Sequence, residues 1–127
     1  MITKFKTEKS FDEIVSKVEE VCKENKFGVL KVYEFHELLK EKGFPIEKRI
    51  TAFEICNPSF AQQVLTENSG LANFMPCKIT VVEENGNVEV SIPDINQMLK
   101  FFEGEKVKEI GKEVQKIINN IVEELIK

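Results

Sequence analysis

Residues 77–92 constrain this chain more than any other segment. The runs 77–83 and 88–92 both read as strands, and between them stands Asn85-Gly86, a dipeptide suited to a two-residue hairpin because both residues tolerate positive φ. In the second run Val88, Val90 and Ile92 share one face, while Glu89 and Ser91 take the other. Such alternation belongs to an antiparallel sheet covered on one side only. Two segments can supply the cover. Phe11, Ile14, Val15, Val18 and Val21/Cys22 recur at helical spacing within residues 10–26, and Val107, Ile110, Val114, Ile117, Ile121 and Leu125 form a continuous apolar stripe within 105–126. The expected fold is α+β, a single mostly antiparallel sheet with N- and C-terminal amphipathic helices packed largely on one face.

The first convincing element is the helix from Ser10, where Ser10 and Glu13 have the spacing of a capping box, each side chain satisfying an orphan N–H. Residues 27–35, rich in β-branched and aromatic side chains, read as a strand. A short helix over 36–42 follows, with Gly43 placed for the left-handed residue that ends it. Residues 49–56 form the next strand. Asn57-Pro58 stops it and starts a helix over 59–67, since Asn caps and Pro is preorganised for the first turn. Asn68-Ser69-Gly70 closes that helix, and the stretch up to residue 76 reads as irregular. No linker, composition break or internal repeat divides the chain, so residues 1–127 are expected to form one domain. A chain of 127 residues holds a core without disulfides or a structural metal.

Charge and composition narrow the function classes. Eighteen Lys and Arg against twenty-two Asp and Glu give a net charge of -4, which argues against nucleic acid as a partner. No apolar run approaches the roughly 20 residues of a membrane span, and Met1-Ile-Thr-Lys-Phe-Lys lacks the features of a secretory signal, so a cytoplasmic location is expected. Three cysteines at irregular spacings do not make a disulfide framework. In a reducing compartment they are thiols, ligands or transient redox groups.

The residues with chemistry cluster in Glu54-Ile-Cys-Asn-Pro-Ser-Phe-Ala61 and Phe74-Met-Pro-Cys-Lys78. Cys56 immediately precedes a helix start, where the dipole favours a thiolate, so it is a candidate nucleophile or ligand. Cys77 has core-side parity with Ile79 and Val81, and packing alone also accounts for both cysteines, since free Cys is among the most buried residue types. The two thiols meet only if their strands run antiparallel as neighbours, and parity places Cys56 with Glu54 and Ala52, on the other face from Phe53 and Ile55. His36, the single histidine, is a candidate haem or metal ligand that Cys56, Cys77 or Met75 would complete. Its ordinary role is a surface or capping residue. Glu54 is the one carboxylate placed for burial on a strand. No G-x-S-x-G, P-loop, G-x-G-x-x-G or H-E-x-x-H signature is present.

The run Glu54-Ile-Cys-Asn-Pro58 with Ala61, then Met75-Pro-Cys77 leading into Val81-Val82 and the Asn85-Gly86 hairpin, resembles the domain of unknown function 302 family over about residues 8–126. Many members have Leu-Pro-Cys where this chain has Met75-Pro76-Cys77. The resemblance implies a compact α+β fold, helices largely on one face of an antiparallel sheet, and homodimers. It implies no activity, so function is argued from the site. The leading expectation is a dimeric, non-catalytic ligand-binding module with His36, Cys56, Asn57, Met75 and Cys77 at its site, and haem or a transition metal as the sharpest ligand. The alternatives are a thiol-dependent redox or sulfur-transfer protein using Cys56 with Cys77, and a purely structural or interaction subunit.

Overall fold

The computed structural model describes every residue from Met1 to Lys127. Five strands form one antiparallel sheet, and the elements run β1 Ile2–Thr7, α1 Phe11–Glu24, β2 Gly28–Glu34, α2 Phe35–Glu41, β3 Arg49–Cys56, α3 Pro58–Glu67, β4 Cys77–Glu84, β5 Asn87–Pro93, α4 Ile95–Leu99 and α5 Glu105–Ile126. The strand order is β1-β5-β4-β3-β2, with every neighbouring pair antiparallel. The hairpin forms as the dipeptide requires: Asn85 and Gly86 take φ 53° and 81°, and Glu84 pairs with Asn87 across the loop.

One face of the sheet carries the core. Phe53 and Ile55 on β3, Ile79 and Val81 on β4, and Val88, Val90 and Ile92 on β5 are buried together with Ile14 and Val18 of α1 and Ile118, Ile121, Val122 and Leu125 of α5. Their burial is the main stabilising contribution, at roughly 1.5–3 kcal/mol for each large aliphatic side chain. The opposite face bears charge, with Lys4–Glu89 and Lys78–Glu54 ion pairs at 4.0 Å. The α+β architecture expected from the alternation is the one found.

Four local features differ from the sequence expectation. The chain begins with a strand, β1, which pairs with β5 from Ile2 opposite Pro93 to Thr7 opposite Val88. The capping box is half formed: Ser10 Oγ accepts from the Glu13 N–H at 3.1 Å, while the Glu13 carboxylate turns to Lys9 and Lys17. The stretch after α3 contains a 3-10 turn, Ser69–Phe74, and α4 was not foreseen at all. Both lie beside the cysteines.

Candidate functional site

Cys56 closes β3 and Cys77 opens β4, and because the two strands are antiparallel neighbours, Ile55 stands opposite Cys77. The thiols therefore occupy adjoining positions at one end of the sheet. Parity alone would separate them. Both residues nevertheless border a single cavity.

Asn57 makes the turn from β3 into α3. Its Oδ1 accepts from the Phe60 N–H at 3.1 Å and caps α3, and its Nδ2 donates to the Lys26 carbonyl at 2.9 Å. One side chain thus starts α3 and ties it to the connection between α1 and β2. Pro58 follows at the first turn, as its fixed φ favours. The Phe27 and Phe60 rings, 6.4 Å apart, then lie against the same cavity.

The cavity has a volume of about 80 Å³, several times the roughly 10–15 Å³ that one water occupies on such a measure. Ile55 forms part of its sheet side, Ala61 and Val64 of α3 another wall, Leu71 and Met75 a third, Ile95, Met98 and Leu99 of α4 a fourth, and Val107, Ile110 and Val114 of α5 the rest. Asn57 is its only polar side chain outside the thiols, and no charged residue reaches it. A groove of about 350 Å³ lies beyond the Phe74–Cys77 segment, bounded also by Glu54, Lys78, Thr80 and Ser91. Met75, Cys77 and Met98 border both spaces.

Burial pushes the Cys56 thiol above its ordinary value, and pushes Cys77 up to about 11, with the adjacent Cys56 adding to the effect. This reverses the easier thiolate expected for Cys56. The reason is local: Asn57, not Cys56, occupies the helix cap and takes the free N–H, while Cys56 is partly buried at the end of β3.

The residues expected at one site are not all brought together. Cys56, Asn57, Met75 and Cys77 share the cavity. His36 does not. Its Nδ1 accepts from the Ile50 N–H at 3.0 Å and its ring meets the Phe11 ring edge-on at 6.0 Å, fastening α2 to β3. Ile50 is six residues from Cys56 along an extended strand, roughly 20 Å at about 3.3 Å per residue. No three His, Cys, Asp or Glu side chains converge anywhere in the chain. A porphyrin is far larger than the cavity, and no imidazole faces it. Glu54 lies on the open face, where it accepts from the Tyr33 hydroxyl at 3.1 Å. Sequence reasoning missed Met98, which stands in a helix too short to show periodicity.

The fold and site define a small α+β domain whose one-sided sheet ends in a charge-free cavity beside a Cys-Asn-Pro turn. The chain belongs to the family described as Domain of unknown function DUF302, whose model matches residues 3–125. That span begins within β1, ahead of the region the motifs suggested. The chain is similar to the crystal structure of an uncharacterized conserved protein DUF302 from Bacillus stearothermophilus, with 28% identity and a TM-score of 0.90 over 99% of this chain and 98% of that one. No curated protein matches it. No helix is long and apolar enough to cross a membrane.

Proposed function

We propose that this domain is a non-catalytic binding module whose small ligand occupies the cavity beside the Cys-Asn-Pro turn. The observation that carries this reading is a formed cavity of about 80 Å³ with no charged side chain in its wall. Such a wall accepts a guest without net charge, because an unpaired buried ion costs several kcal/mol or more. Its location at the meeting of α3, α4, α5 and the ends of two strands is where ligand pockets commonly form, between packed elements.

The test is a methyl NMR titration of the reduced protein with butanol and with butanoate. Butanol is expected to shift the Ile55, Val64, Leu71 and Val107 methyls saturably, butanoate to leave them unmoved, and Ala61→Phe to abolish the butanol response. No saturable shift, or an equal response to butanoate, overturns the reading and leaves a structural or interaction subunit.

The proposal includes a homodimer and a cytoplasmic setting. Leu30 and Val32 are 64% and 45% exposed on β2, an edge strand with unpaired backbone groups, which is a natural seam for a second copy. Light scattering showing a monomer at all concentrations would remove the dimer. Three free thiols suit a reducing compartment. A second reading, redox or sulfur transfer by Cys56 with Cys77, draws on their meeting at one cavity. Their raised pKa values work against it, since the thiolate is the nucleophile.

A further inference from the structure

Two spaces of opposite character adjoin at the end of the sheet. The cavity wall carries no charge, whereas the groove of about 350 Å³ beside it is bounded by Glu54, Asn73, Lys78, Thr80 and Ser91 as well as by apolar residues. Phe74, Met75, Pro76, Cys77, Ile95 and Met98 border both. Within that shared wall Met75 and Met98 are half-buried and unbranched, the side chains that repack most readily, and Phe74 is 54% exposed. We propose that cavity and groove together form one site for a linear amphiphile with an anionic head group, of which the medium-chain carboxylates are the simplest members. The alkyl chain fills the cavity and the head group lies in the groove against Lys78. The inference rests on the cavity reading above and names its ligand class.

The wall selects the chain. An alkyl group gains from burial there and brings no charge inside, while a carboxylate in the same place would be desolvated without a partner. A short acid such as butanoate is therefore refused, and a longer one is accepted once its carboxylate reaches the groove. Lys78 selects the head group. Glu54 is already engaged, its Oε1 accepting from the Tyr33 hydroxyl at 3.1 Å and its Oε2 facing Lys78 Nζ at 4.0 Å. The Lys78 side chain is half exposed and its pairing with Glu54 is loose, so the ammonium keeps N–H donors for a second carboxylate. Lys31 and Lys78 stand 5.0 and 5.9 Å from the Tyr33 ring centre, and these two ammonium groups outweigh the one carboxylate of Glu54. Thr80 and Ser91, opposite each other across β4 and β5, add hydroxyls on the same face.

The test is a methyl NMR titration of the reduced full chain with octanoate, octanol and octylammonium, each kept below its micelle concentration. Octanoate is expected to move the cavity methyls of Val64 and Val107 and the groove methyls of Ile2 and Thr80 together and saturably, where butanoate leaves the cavity methyls unmoved. Lys78→Gln is expected to weaken octanoate roughly fivefold, the upper range for a half-exposed ion pair, and to leave octanol unchanged. Ala61→Phe abolishes both responses, and Lys112→Gln, an exposed change on α5, alters neither. No saturable octanoate shift, octanoate binding indifferent to Lys78→Gln, or octylammonium bound as tightly as octanoate overturns the inference. If butanol still enters the cavity in that case, the binding module stands and only its ligand class is wrong; if butanol fails as well, both fall together.

Discussion

Gln115 Oε1 accepts a hydrogen bond from the Ile95 N–H at 2.7 Å, joining the middle of α5 to the first residue of α4. The bond is buried, and it holds in place the five-residue helix that forms one wall of the cavity. A helix this short has no stability of its own. Its position comes from α5, through Gln115 and through the close packing of Leu99 over Gly111.

Gln115→Leu leaves the Ile95 N–H buried without an acceptor. Chemical denaturation is expected to show a loss of about 1–3 kcal/mol, the usual penalty for one orphaned buried donor. A change within experimental error would mean that α4 is held by apolar contact alone.

Gly111→Ala places a methyl group into the Leu99 side chain. Alanine is the better helix former by about 1 kcal/mol, yet overpacking costs about 1–3 kcal/mol, so a net loss of stability is expected. Adding Leu99→Ala removes the clash. The double variant should therefore lose less than the sum of the two single changes, a non-additivity that a thermodynamic cycle measures.

Asn57 both caps α3 and donates to the Lys26 carbonyl. Asn57→Ala is expected to cost about 1–2 kcal/mol through the lost cap. Asn57→Asp keeps the acceptor but faces the carbonyl with a carboxylate, so it should fall between wild type and Asn57→Ala at high salt. If Asp matches wild type, the tie to Lys26 contributes nothing.

Cys22 is fully buried on α1, and burial pushes its thiol from an ordinary 9.0 up to about 11. The folded state therefore prefers the protonated thiol. The associated stability is complete below pH 9 and is lost as the pH rises through 11. Unfolding measured from pH 8 to 11 should show an alkaline decline that is smaller in Cys22→Ala; equal slopes would contradict this origin.

The legible parts of the fold are those whose signal is local. Residues 49–56 and 105–126 carry their own patterns, and those patterns predict the bounds that both elements have. In α5 the buried stripe runs through Ile118, with Ile117 half-covered beside it. By contrast, the core-side positions of β1 are Thr3, Phe5 and Thr7, a single apolar residue between two threonines, and only pairing with β5 makes a strand of them. In the same way α4 depends on Gln115 and Gly111, partners well removed in sequence.

The site follows the same division. Asn57 as a cap was legible because capping needs only the next three residues. Whether Cys56 and Cys77 become neighbours depends on strand order, which no local pattern carries; the register sets Cys77 opposite Ile55, next to Cys56 along β3. His36 shares their ligand chemistry, but its bond to Ile50 holds it near the start of β3, whereas Cys56 closes that strand.

Xenon enters genuinely apolar cavities and has no polar preference, so crystals of the reduced protein held under xenon test the central claim most directly. The account predicts an ordered xenon atom among Ile55, Val64, Leu71 and Val107, absent in Ala61→Phe. A cavity that stays empty under pressure in the wild-type crystal would contradict it.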